Sequence, residues 1–223
     1  MSTIHTGSRI SLRPSLRAQS WSFMIGSAFF AFGSAPFFAA WMPSALANSS
    51  YFVGAIFFTV AAGMQLLLTG SPNRAAQDEQ PTAAGIVVRA MWLSAAVQLI
   101  GTVLFNASTG AALQASTVTA ERDYVWAPDA AGSLAFLLSS LLALVPLVRE
   151  RELWAPRDTA WWSTLLNLGG SVAFGVSAVA AIVTSTGGVR NATLAGNSTF
   201  IGALCFFIAA AVLLPSARKR RAG

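Results

Sequence analysis

Gly26-Ser27-Ala28-Phe29-Phe30 decides the fold, because its pattern (glycine, a small residue, two free positions, phenylalanine) returns in every apolar stretch long enough to cross a membrane. The other copies run from Gly54 to Phe58, Gly101 to Phe105, Gly132 to Phe136, Gly170 to Phe174 and Gly202 to Phe206. Residues four apart share one face of a helix, so each copy sets a backbone-exposing notch beside a bulky ring. A further match, Gly33 to Phe37, follows directly on the first. Close packing of helices is the first reading of these residues, and ligand binding by them is the alternative.

Composition places the pattern in a membrane. With 55% hydrophobic and 10% charged residues and a mean hydropathy of +0.61, the chain needs lipid as its solvent. Apolar runs lie at Trp21 to Trp41, Ser50 to Thr69, Val87 to Phe105, Ala130 to Val148, Trp161 to Thr184 and Phe200 to Leu214. Most reach the roughly 20 residues that a helical span requires. Asn197 and Ser198 lengthen the last at its start, and Ser216 after Pro215 ends it. The expectation is an all-α polytopic bundle of six transmembrane helices. Pro36 is expected to kink the first near mid-membrane. The basic start and Ala45-Leu46-Ala47 imitate a cleavable signal peptide, but the first run exceeds the roughly 7 to 15 residues of a signal core. It also carries a copy of the signature, so its retention is expected.

Basic residues orient the chain, since cytoplasmic flanks retain Lys and Arg. Arg9, Arg13 and Arg17, then Arg74 and Arg89, then Arg149, Arg151 and Arg157, then Arg218, Lys219, Arg220 and Arg221 fall on one side; only Arg122 and Arg190 fall on the other. Both termini are therefore expected in the cytoplasm, in the plasma (cytoplasmic) membrane. The net charge of +6 reads as this topological signal plus attraction to anionic lipid headgroups. Nucleic acid is not expected as a partner, because no basic domain exists to bind it. Another membrane protein or a second copy of the chain is the partner class left open.

The glycines pair as Gly26 with Gly54, Gly101 with Gly132 and Gly170 with Gly202, at similar intervals. Similarity extends further: Ser50 to Ala55 and Phe58 parallel Ser198 to Ala203 and Phe206, while the middle pair diverges more. The chain thus reads as three pseudo-repeated, inside-to-inside hairpins. A basic tail (1–20) precedes hairpin 1 (21–69) and a cytoplasmic loop (70–86). Hairpin 2 (87–148) carries an external loop (110–128) and is followed by a second cytoplasmic loop (149–160). Hairpin 3 (161–215) leads into a basic tail (216–223). The external loop, with Glu121, Arg122, Asp123, Tyr124 and Trp126, is expected to cap the bundle or meet a partner.

Gly26-Ser27 with Phe30, Gly132-Ser133 with Phe136, and Gly170-Ser171 with Phe174 resemble the YrhK-like membrane proteins, whose domain is a two-helix hairpin with a G-S-x-x-F pattern. Gly54-Ala55, Gly101-Thr102 and Gly202-Ala203 depart from it by one small residue. The resemblance covers all three hairpins. It implies a membrane protein and brings no catalytic residues with it.

Site chemistry is informative through what is missing. The single His5 lies in a tail and the single Cys205 in the last helix, which disfavours haem, His-rich metal sites and Cys clusters. A lone helical Cys reads as an apolar packing residue. No cofactor, metal or catalytic group is therefore expected, and the chain reads as a non-enzyme. Asp78, Glu79, Glu121, Asp123, Asp129, Glu150, Glu152 and Asp158 are all expected in loops or at helix ends, against coupling through intramembrane acids. Asp129 reads as the N-cap of the fourth helix; Asn48 or Ser49, and Asn197 or Ser198, read as caps of the second and sixth. Sequons stand at Asn48, Asn106, Asn191 and Asn197, and capping accounts for most of them.

Within the spans, Gln65, Gln98 and Asn167 form a candidate polar site. Gln98 and Asn167 each precede a signature glycine by three residues, where the first helix has Phe23. Repetition would place them at one depth, meeting or lining one cavity; unrelated amides bonded to nearby carbonyls are the alternative. Arg89 is expected to snorkel to the headgroups. Trp21, Trp41, Trp92, Trp126, Trp154, Trp161 and Trp162 mark the interfaces. Two functions remain: a non-enzymatic scaffold or accessory subunit with a filled, dry centre, or a passive channel or facilitator for a small solute with a continuous cavity.

Overall fold

The structure, a computed structural model, describes residues 14–38, 41–70, 83–149 and 153–214. Every regular element longer than a turn is helical: α1 (Leu16–Ser34), α2 (Ser44–Thr69), α3 (Ala83–Ala111), α4 (Val118–Ala120), a π-helical turn (Glu121–Trp126), α5 (Ala127–Ala143), α6 (Val145–Arg149), α7 (Thr159–Ala180) and α8 (Ala192–Val212). Among the described residues, five stretches are long and apolar enough to cross a membrane: Ser44–Thr69, Ala84–Ala111, Val118–Arg149, Thr159–Ala180 and Ala192–Val212. α1 is not one of them, since its first two turns carry Arg17, Gln19 and Ser20.

The long helices close into a ring. α1 packs on α2, α3 on α5 and α7 on α8; α2 then meets α3, α5 meets α7, and α8 meets α1. Four described arginines, Arg17, Arg89, Arg149 and Arg157, lie exposed at one end of the ring, called the basic end below, and Arg122 and Arg190 lie at the distal end. Large aliphatic side chains such as Ile56, Val60, Ile100, Val103, Leu134, Leu138, Val172, Val176, Ile201 and Ile208 face outward. Gly, Ala, Ser and Phe face inward. That distribution suits a lipid solvent, in which helices associate through close backbone approach and not through expulsion of water.

The glycines supply that approach. A methyl group placed on Gly26 would sit 2.9 Å from both the Gly54 carbonyl oxygen and the Phe58 ring; one on Gly54 would sit 2.7 Å from the Phe30 ring and 2.9 Å from the Gly26 carbonyl oxygen. The same reciprocal seat joins Gly101 with Gly132 and Gly170 with Gly202. Each helix therefore lodges its signature phenylalanine over its partner's glycine.

Several element boundaries differ from the sequence expectation. α1 stops at Ser34, so Pro36 lies in the turn beyond the helix and does not kink it. Its predecessor Ala35 is extended, as a residue before proline prefers. Asn48 and Ser49 lie inside α2, which starts after Pro43; Asn48 donates instead to the Ala112 carbonyl just past the end of α3, and Ser49 to the Ala45 carbonyl. Asn197 and Ser198 lie inside α8, whose N-cap is Asn191, accepting from the Leu194 amide. Asp129 is likewise internal, and the capping hydroxyl of that stretch is Thr117. Most of the external loop expected over 110–128 is helical, since the chain is helical again from Val118.

Pro128 explains the π-helical turn. It has no amide hydrogen and its ring would crowd the carbonyl four residues back, so the wider turn, with Ala127 N–H bonded to Arg122 O, carries the helix past it. Pro146 acts similarly where α5 gives way to α6 at Leu144. In consequence Glu121, Asp123 and Asp129, expected outside the spans, belong to the Val118–Arg149 stretch. Arg9, Arg13, Arg74, Arg151, the basic cluster 218–221, His5, Asp78, Glu79, Glu150, Glu152, Pro215 and Ser216 lie outside the described residues.

Candidate functional site

The six signature phenylalanines converge at the centre of the ring, each no more than 5% exposed. They form two layers. Phe30, Phe105 and Phe174, from α1, α3 and α7, have ring centroids 5.7 to 6.3 Å apart. Phe58, Phe136 and Phe206, from α2, α5 and α8, lie 5.5 to 6.3 Å apart. Within each helix pair the layers touch, at 5.2, 5.1 and 5.2 Å. Because paired helices run in opposite directions, a ring four residues after its glycine lies beyond the crossing in one helix and before it in the other. The outcome is a septum two phenyl rings thick. Edge-on and tilted contacts at these distances each add about 0.5–1.5 kcal/mol beyond simple burial.

A cavity lies on either side of the septum. The cavity at the basic end has a volume of about 580 Å³, and Phe206 stands in its wall. The cavity at the distal end has about 370 Å³, with Phe30 in its wall. Gln65, Gln98 and Asn167 all line the basic-end cavity. Gln98 and Asn167 do not bond each other: Gln98 Oε1 lies 3.5 Å from the Ser139 hydroxyl, whose proton has a shorter contact to the Ser94 carbonyl, and Asn167 Nδ2 donates to the Ser163 carbonyl at 3.0 Å.

The same wall holds polar residues that hydropathy passes over: Gln19, Ser20, Thr69, Ser94, Ser139, Ser140, Ser163 and Thr164. A signal for three of them was present in the repeat, because Gln19, Ser94 and Ser163 each stand seven residues before a signature glycine. Three of the hydroxyls reach neighbouring helices, whereas Thr69 and Thr164 donate to carbonyls of their own helices. Ser94 and Ser139 exchange bonds between α3 and α5, each donating to the other's carbonyl, at 3.0 and 2.8 Å. Ser140 meets Ser171 at 2.7 Å across the α5–α7 contact, and Ser171 also donates to Asn167 O. No charged side chain lines this cavity among the described residues.

The distal cavity differs in chemistry. Glu121 and Asp129 line it together with Phe30, Tyr51, Trp126, Asn48 and Thr199. Trp126 Nε1 donates to Ala178 O on α7, and the Ser108 hydroxyl to Val125 O in the π-helical turn, so that turn is tied to both neighbours. The Arg122–Asp123 pair, 3.0 Å apart, is exposed.

Among the described residues no group of three His, Cys, Asp or Glu side chains is placed to hold a metal ion. Cys205 is a half-buried thiol. Trp21, Trp41, Trp154 and Trp162 are exposed, whereas Trp161 is buried between Trp154 and Trp162 and donates to Leu153 O. Comparison with known proteins finds no family model, no curated protein and no solved structure that matches the chain.

Proposed function

We propose that the chain is a non-enzymatic scaffold or accessory subunit whose six helices span the plasma membrane as three repeated hairpins, with both termini in the cytoplasm. The carrying observation is the septum of Phe30, Phe105, Phe174, Phe58, Phe136 and Phe206, which fills the centre where a conduit would have to run. The helix pairing supports the hairpins, and the excess of arginine at the basic end supports its cytoplasmic orientation. α1 counts as the sixth span because it completes the ring between α2 and α8. Kinship with the YrhK-like hairpins belongs to the same proposal and rests on the Gly-Ser-x-x-Phe copies. The broad aliphatic surface offers lipid, a second copy or another membrane protein a face to cover, and the arginines favour anionic headgroups.

A second reading, a passive facilitator for a small solute, is favoured by the polar cavities on opposite sides of the septum. Flux decides between the two. Purified protein in sealed liposomes, challenged with osmotic steps of water, glycerol and urea, is expected to leave permeability at the protein-free level. A protein-dependent rise for any of the three would overturn the scaffold reading and establish the facilitator.

A further inference from the structure

The basic-end cavity has more hydrogen-bonding capacity than the protein itself uses. Gln19 is 8% exposed, its carboxamide has no hydrogen-bond partner among the described residues, and it lines the cavity. Gln65 contributes its backbone carbonyl to Thr69, while its side-chain amide has no partner among the described residues. Gln98 uses only Oε1, and only through a 3.5 Å contact. Asn167 spends Nδ2 and keeps Oδ1. Four helices, α1, α2, α3 and α7, thus each present an incompletely bonded amide to one space of about 580 Å³. These amide atoms are open to the cavity and not sealed in protein, since the buried side-chain polar atom without a partner among the described residues is Ser27 Oγ; polar groups inside a membrane protein that face a shared cavity mark a ligand path or site.

We propose that this cavity binds a small uncharged polyhydroxy compound, of the size of a polyol or a simple sugar. Amides offer donors and acceptors side by side, and a hydroxyl group both donates and accepts, so it satisfies either end of each amide. Neutrality follows from the wall, where among the described residues neither a carboxylate nor a cation stands to offset a ligand charge. The remaining wall, with Phe23, Met91, Phe206 and Leu213, offers the C–H face of such a molecule an apolar surface. The site opens toward the basic end and stops at the septum, so binding is independent of whether solute crosses.

The test is titration calorimetry of the full chain in nanodiscs of phosphatidylcholine and phosphatidylserine, whose headgroups carry neither a sugar nor a polyol, with glycerol, glucose and sucrose as probes and glucosamine and gluconate as charged counterparts. At least one neutral probe is expected to bind saturably, and at least tenfold more tightly than its charged counterpart where one exists. Gln19→Leu and Gln98→Leu should each weaken it at least tenfold, while Ser177→Ala at the distal cavity should not. Gln98→Glu keeps the shape and adds a carboxylate, so it should turn the preference toward glucosamine; this variant serves if the leucine variants fail to fold. Absence of binding by all three neutral probes, equal binding of charged forms, or unchanged selectivity in Gln98→Glu overturns the proposal. Permeability of liposomes is a separate readout, so failure here leaves the scaffold reading standing.

Discussion

At the residue scale the glycines divide into two kinds that look alike in sequence. Gly170 would drive a methyl group to 2.9 Å from the Phe206 ring and 3.1 Å from the Gly202 carbonyl oxygen, whereas a methyl on Gly175, little more than one turn on, meets nothing within 4 Å. Gly170→Ala must push apart both backbone and ring, at about 1–3 kcal/mol for overpacking. Gly175→Ala adds only helix propensity, worth up to about 1 kcal/mol in its favour. Thermal unfolding in mild detergent should therefore show a clear fall in Tm for Gly170→Ala and an equal or higher Tm for Gly175→Ala. Equal losses in the two variants would mean that the notch does not set the helix separation.

At the scale of helix pairs, the repeat shows why one buried hydroxyl has no partner. Ser171 follows its signature glycine and meets Ser140 on α5, which stands eight residues after Gly132. In the α8–α1 contact the corresponding residues are Ser27 and Ala210, and Ser27 Oγ is buried without a hydrogen bond. In the α2–α3 contact they are Thr102 and Ala62, and Thr102 turns back to the Leu99 carbonyl at 2.7 Å. An unsatisfied buried hydroxyl costs about 1–3 kcal/mol. Ser27→Ala should thus leave Tm unchanged or raise it, Ser171→Ala should lower it, and Ala210→Ser should raise it by returning a partner to Ser27. A loss on Ser27→Ala as large as on Ser171→Ala would contradict this account.

That register also explains what could be read in advance and what could not. The signature singled out the residues that meet at the centre, because glycine and phenylalanine four apart have one geometric consequence on a helix. Helix ends were misjudged for a common reason: Asn48 and Ser49 satisfy carbonyls within the bundle, so a polar residue beside an apolar run did not mark a boundary. Asp129 misled through Pro128, which signals a helix start in most contexts but is accommodated here by a π-helical turn. Gln65, Gln98 and Asn167 stood out as amides, whereas Ser94, Ser139, Ser140 and Ser163 vanish in any hydropathy average although they share the same cavity wall.

For the whole molecule, the two-layered septum makes the barrier redundant, and that redundancy is testable. Phe105 and Phe136 belong to different layers yet touch, with centroids 5.1 Å apart. Removing one ring leaves the other layer intact, so Phe105→Ala or Phe136→Ala alone should keep liposomes as tight as those with the unmodified chain. Removing both clears one sector through the full thickness and should join the cavities, which Phe206 and Phe30 wall on either side. A closed apolar void stays dry, but this one would meet polar cavities at both ends. The double variant should therefore conduct water. Each substitution also takes a ring from a glycine seat, at about 3–5 kcal/mol for a buried phenylalanine, so the comparison is made on protein that remains folded by its thermal transition. Leakage through either single variant, or a folded double variant as tight as the parent, would show that something other than the stacked rings closes the bundle.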